Sequence, residues 1–200
     1  MKYGMVIDLK KCIGCMGCTV ACKVENVTRP GIFWNTVKDM EFGKYPAVTR
    51  IFLPVQCMQC ENAPCIEVCP TRASYRRDDG IVMIDPDKCS GCGYCIEACP
   101  YGSRYLNDEA GGYFGKTLTP NEELGYRKHK LGIVEKCTFC THLLEQGKEP
   151  ICVRTCVGKA RYFGNLDDPN SEISHLIRTR DGFLLQPDLR TKPSVYYLSA

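Results

Sequence analysis

Sixteen of the 200 residues are cysteines, and they fall into four sets of four. Cys89, Cys92 and Cys95 are each separated by two residues, Cys99 follows after three more, and Pro100 comes directly after it. Cys57, Cys60, Cys65 and Cys69 repeat this with two additional residues before the third cysteine, again closed by a proline, Pro70. Cys12, Cys15, Cys18 and Cys22 keep the intervals, but Lys23 stands in place of the proline. The last set is stretched: Cys137 and Cys140, then eleven residues, then Cys152 and Cys156. Thiolates are soft ligands suited to iron and zinc. Three cysteines at two-residue spacing with a fourth beyond them follow the ligation pattern of iron–sulfur cubanes.

The spacing has a geometric reason. A [4Fe-4S] cube offers four irons at tetrahedral corners, each taking one thiolate. A tight loop wraps three corners, and Gly91 and Gly93 let backbone approach without a Cβ in the way. The fourth cysteine opens a short helix that points away, so it ligates the neighbouring cluster, and the proline turns the chain out of the site. On this logic Cys57, Cys60, Cys65 and Cys99 hold one cluster, and Cys69, Cys89, Cys92 and Cys95 hold the next. The same sharing gives Cys12, Cys15, Cys18 and Cys156 a third cluster, and Cys22, Cys137, Cys140 and Cys152 a fourth.

Other uses of sixteen cysteines fit less well. Disulfides belong to oxidising compartments, and no secretory run is visible because Asp8, Lys10 and Lys11 interrupt the first apolar stretch. A structural zinc site needs only two paired cysteines, not triplets with a displaced fourth; the stretched last set is where zinc fits best. Hydrophobic residues make up 44% of the chain with the cysteines included, so metal binding supplies much of the folding energy. The formal charge of +3 falls to about −5 if four clusters of charge −2 are added. Lys11, Lys23, Arg72, Lys88, Arg104 and Lys136 lie beside cysteines, as partial compensation for clusters or as ordinary surface charge. No basic run with interleaved aromatics points to nucleic acid, and no stretch approaches a membrane span. There is no nucleophile–base pair, phosphate loop or flavin fingerprint. Fully ligated cubanes move electrons and leave no iron open to substrate.

The elements that must position these sets are short. Lys2 to Leu9 reads as a strand that delivers the chain to Cys12, and a helix from Thr19 runs through Asn26 until Pro30-Gly31. Residues 31–54 form a connector holding Trp34, which either packs between cluster units or meets a partner, and a strand over Val48 to Leu53. Asp78-Asp79-Gly80 between Ala73–Arg77 and Ile81–Asp85 is a hairpin signal. Tyr101 to Glu135 is irregular, either a docking element or mobile surface. A helical turn follows at His142, a strand over Ala160 to Leu166, and a capped helix entered from Asp167–Ser171 into Ile173–Ile177. His129, His142 and His175 sit at no metal spacing and read as surface residues. The fold class is α+β, two pseudo-symmetric bacterial-ferredoxin-like units of short hairpins, short helices and long loops. An outer unit spans 1–30 plus 130–180, a central unit 50–105, an insertion 106–129 and an extended tail 181–200.

Asp8-Leu-Lys-Lys-Cys12, Gln59-Cys60-Glu-Asn-Ala-Pro-Cys65, Lys136-Cys137-Thr-Phe-Cys140, Gly164-Asn-Leu-Asp-Asp-Pro169 and the Pro193-Ser-Val-Tyr-Tyr-Leu tail carry a resemblance over nearly the whole chain. The chain resembles the four-cluster electron-transfer subunits of the dimethyl sulfoxide reductase family of molybdenum enzymes, nearest to those of polysulfide, thiosulfate, tetrathionate and arsenate reductases. Val157 departs from the usual proline after the last cysteine, and Cys92 stands where the nitrate reductase branch has tryptophan. The resemblance implies a pseudo-two-fold double ferredoxin fold with four [4Fe-4S] clusters. It implies a large molybdopterin-containing catalytic partner, nearer the first and fourth cysteine sets, and an integral membrane quinone-reactive anchor. Location on the periplasmic side by co-export with that partner follows from it, with the cytoplasm as the alternative. The corresponding subunit of a formate dehydrogenase or hydrogenase, a free polyferredoxin, and the beta subunit of a transhydroxylase-like molybdenum enzyme are the other readings.

Overall fold

A computed structural model describes residues 1–199. The strands are β1 (Tyr3–Asp8), β2 (Asn35–Lys44), β3 (Ala47–Gln56), β4 (Ser74–Arg76), β5 (Val82–Ile84), β6 (Tyr105–Asn107), β7 (Ile133–Glu135), β8 (Arg161–Asn165) and β9 (Val195–Leu198). The helices are α1 (Gly17–Asn26), α2 (Pro64–Glu67), α3 (Tyr94–Glu97), α4 (Pro120–Gly125), α5 (Thr141–Leu144), α6 (Ile151–Arg154) and α7 (Glu172–Thr179). It is an α+β fold in which four of the seven helices are a single turn.

The one three-stranded sheet has the order β8-β1-β9. β1 pairs antiparallel with β8 and parallel with β9, so the first and last strands of the described chain are neighbours. Alternate residues of β1 serve two faces, as strand geometry requires. Met5 and Ile7 enter the main core with Tyr197, while Val6 joins Leu198 and Ile173 under the amphipathic helix α7. The predicted tail at 181–200 therefore contributes a buried strand after a single 3-10 turn at Pro187–Leu189.

The hairpin predicted around Asp78-Asp79-Gly80 forms as β4 and β5, paired from Ser74↔Ile84 to Arg76↔Val82. Two further pairings lie where the sequence predicts a connector and an insertion. β2 and β3 form a ten-residue antiparallel ribbon, from Asn35↔Gln56 to Lys44↔Ala47. β6 and β7 pair across the predicted insertion, which holds α4 between them. That segment has its own polar organisation. Thr119 and Glu122 form a reciprocal capping box, and the Glu122 carboxylate also accepts from the Tyr113 N–H at 2.9 Å and the Tyr126 hydroxyl at 3.2 Å. His129 is not a surface residue. Its side chain is 9% exposed, its Nδ1 stands 2.7 Å from Glu135 and its Nε2 2.7 Å from the Asn26 carbonyl oxygen, clipping β7 to the end of α1. Trp34 is buried with its ring against His129.

Candidate iron–sulfur centres

Each cysteine loop turns in the same way. The residue just before the second cysteine has a positive φ in all four sets: Gly14 (69°), Gln59 (49°), Gly91 (68°) and Phe139 (54°). A left-handed residue there folds the loop back so that successive thiols face one space. At Gly91 the requirement is also steric, because an added Cβ would lie 2.1 Å from the Gly132 carbonyl oxygen. Gln59 and Phe139 reach the same conformation while fully buried. Gln59 donates to the Cys137 carbonyl oxygen and accepts from the Val82 N–H, and Phe139 packs edge-on against Phe163.

The thiols gather in four groups, each joining cysteines from two sets. Cys60 is close enough to Cys57, Cys65 and Cys99 to feel their charge. Cys69, Cys89, Cys92 and Cys95 line one small cavity. Cys137 lies among Cys22, Cys140 and Cys152. Cys12 faces Cys18 and Cys156, and the Cys15 sulfur sits by Gly17 on the side of Thr155. These are groups three, four, two and one respectively, numbered from the N-terminal set. Group one adjoins two through Cys18 and Cys152, two adjoins three through Cys137 and Cys57, and Arg104 links three to four between Cys65 and Cys95.

The environment grades from buried to open. All four thiols of group two are buried, whereas Cys15 of group one and Cys92 of group four are exposed. Burial pushes the Cys22 and Cys60 thiols up to about 12 and Cys140 up to about 11, with neighbouring thiols adding to the shift at each. Cys69 goes the other way: against its burial, hydrogen bonds from the Ser74 N–H and Thr71 hold the thiol below its usual range. Backbone N–H groups also reach sulfur at Cys156 (Ala160, 3.2 Å) and Cys89 (Val134, 3.5 Å). Three cations are buried with the thiols. Arg104 and Lys136 are two of the six basic residues noted beside cysteines. Arg161 escaped the sequence reading although it follows Cys156 by the same five residues that separate Arg104 from Cys99; β8 carries it inward to Cys18 and Cys152.

The donors fit a cubane. Every cysteine is free, each group offers four sulfurs, and among the described residues no three metal-binding side chains close on a point where a single ion would sit. Burial disfavours a bare thiolate at Cys22, Cys60 and Cys140, a cost that a positively charged metal core offsets, and the buried cations balance the negative charge that such a core with four thiolates brings.

A family model described as a 4Fe-4S dicluster domain matches residues 48–116 and 120–166. The chain is 45% identical to a selenate reductase subunit of Mesobacillus selenatarsenatis, over 100% of this chain and 72% of that protein. It is 44% identical to a putative dimethyl sulfoxide reductase iron-sulfur subunit of Halobacterium salinarum, covering 99% and 79%. It is 41% identical to a tetrathionate reductase subunit of Salmonella typhimurium, covering 98% and 72%. The chain belongs to the four-cluster iron–sulfur electron-transfer subunits of the dimethyl sulfoxide reductase family.

Proposed function

We propose that groups one to four are the ligand sets of the four [4Fe-4S] clusters, and that the chain relays single electrons between a molybdopterin-containing catalytic subunit and a quinone-reactive membrane subunit. Each cluster, when bound, supplies a one-electron couple. The observation that carries the reading is the serial order of the groups, with buried thiols in the middle and an exposed ligand, Cys15 or Cys92, at either end. Interior residues shield the middle of the series from water: Trp34, Val55, Met58 and Phe139 pack around groups two and three. The end at Cys15 lies among exposed apolar residues, Ile13, Met16, Val20 and Val24, which fit the catalytic subunit. The end at Cys92 and Tyr94 is then left for the membrane subunit. Among the described residues no helix is long and apolar enough to cross a membrane, so contact with quinone goes through that third chain.

The same reading divides the chain into an outer unit of groups one and two and a central unit of groups three and four, related by a pseudo-two-fold axis. The repeated left-handed residue before each second cysteine supports it. Co-export with the catalytic partner to the periplasmic side belongs to this reading through the family resemblance, and fractionation of cells tests it. The deciding experiment is iron and acid-labile sulfide per chain, with EPR after stepwise reduction of anaerobically purified protein. About sixteen of each, coupled cubane signals and molybdenum in a co-purifying chain are expected. About eight of each with zinc, or a stable monomer that quinol never reduces, overturns the reading.

A further inference from the structure

Four groups in series make three junctions, and each junction holds one buried cation. Between groups one and two stands Arg161, with Nη2 3.6 Å from Cys18 Sγ and Nη1 3.8 Å from Cys152 Sγ. Between two and three stands Lys136, near Cys57 and Cys137, with its ammonium donating to the carbonyl oxygens of Val82 and Cys137. Between three and four stands Arg104, with Nη2 2.9 Å from Cys65 Sγ and a second contact to Cys95. All three are almost fully buried, at 4%, 2% and 3% exposure. Among the described residues none pairs with a carboxylate. Their other partners are neutral: Asn35 Oδ1 and Gln56 Oε1 for Arg161, and the Ser74 hydroxyl for Arg104.

A buried cation without a carboxylate is costly unless some other negative charge balances it. Arg161, Lys136 and Arg104 lie among cysteines, whereas the fourth buried cation without a carboxylate, Arg29, stacks over the Tyr126 ring and donates to the Gly111 carbonyl oxygen. We propose that Arg161, Lys136 and Arg104 are positioning residues for electron transfer, each raising together the reduction potentials of the two clusters it separates. The inference rests on the ligand groups proposed above. An electron arriving on either side of a junction adds negative charge next to the same cation, so both reduced states are stabilised. Since Arg161 and Arg104 touch sulfurs on both sides of their junctions and Lys136 lies near Cys57 and Cys137, each cation lifts both levels and leaves the step between them small. A basic residue at the surface cannot do this, because water screens it and it faces one cluster at most. Lys11, Arg72 and Lys88 are exposed.

The test is a redox titration followed by EPR on the purified complex carrying Arg161→Met or Arg104→Met, with iron and sulfide measured on the same samples. The expected result is full iron content with downward shifts in two of the four couples. The shifted pairs should differ between the two variants, and Arg161→Lys or Arg104→Lys should return the potentials most of the way. Should a Met variant lose iron, Arg161→Gln and Arg104→Gln keep amide donors without the charge and serve in its place. Four unshifted couples, or an equal shift of all four, overturns the proposal. Wild-type protein with about eight iron atoms overturns the ligand groups instead, so the two failures are told apart.

Discussion

Gly91 and Gln59 hold equivalent positions in two cysteine loops, yet only one of them is legible as a turn residue. Glycine before the second cysteine announces a left-handed residue, because it adopts that conformation without steric strain. At Gln59 and Phe139 the same conformation is imposed by burial and by partners brought from far along the chain, Cys137 and Val82 for Gln59 and Phe163 for Phe139. No local signal could have found them. Arg161, by contrast, had a signal in the sequence, the same five-residue interval after Cys156 that places Arg104 after Cys99. The prediction at this scale concerns Gly91. Alanine there must hold φ near 68° and push back the Gly132 carbonyl, a strain of roughly 1–3 kcal/mol. Gly91→Ala is expected to lose one cluster of four, about four iron atoms per chain, while Gly93→Ala, whose added Cβ meets nothing within 4 Å, loses less.

Element by element, what could be read was whatever one face of the molecule dictates. β1 reads as a strand because both its faces are covered, so Met5, Val6 and Ile7 form an unbroken apolar run, and the β4–β5 hairpin carries its own Asp-Gly turn. Of the ribbon, the strand expected over Val48 to Leu53 falls within β3, but β2 was missed, its outer residues 41–44 being exposed so that no buried face imposes a period of two. β6 and β7 are three residues each and pair across α4, too short and too distant for a pattern. His129 shows what that pairing secures. Burial lowers the pKa of its imidazole, but the hydrogen bond and charge of Glu135 outweigh this and raise it. With acceptors at both ring nitrogens, the doubly protonated form is the one that satisfies the clip. A raised folded-state pKa means the clip contributes fully below about pH 6.5 and is lost as pH rises through the folded value. Thermal unfolding of the cluster-loaded protein should therefore move to lower temperature as pH rises from about 6 to about 9. His129→Gln should remove that component of the slope, and an unchanged slope would sink the assignment.

Over the whole molecule the cysteines are core residues as much as ligands, with six of them in the main buried cluster beside Trp34, Met58 and Phe139. Removing the clusters puts thiols back where only metal-bound sulfur belongs and leaves three buried cations facing no balancing charge. Chelation of iron under anaerobic conditions is expected to abolish the cooperative thermal transition and most of the far-ultraviolet dichroism, rather than yield a folded apoprotein. Retention of native dichroism without iron would show that the apolar core suffices. That the chain is stapled by metal was plain from its cysteine content. How its halves interlock was not, since the parallel pairing of β1 with β9 joins the two ends of the described chain.

That pairing sets a timetable on the ribosome. Cys57 to Cys99 emerge as one stretch, so groups three and four have all their ligands early in synthesis. Group two waits for Cys152 and group one for Cys156, and β1, though made first, has neither neighbour until β8 and then β9 have emerged. The strand that begins the chain is among the last to be fixed in place. Nascent chains that have emerged only as far as residue 150 should protect the β4–β5 hairpin from protease while leaving residues 1–30 open to cutting; equal protection of both would mean that the N-terminal strand is fixed without β8 and β9.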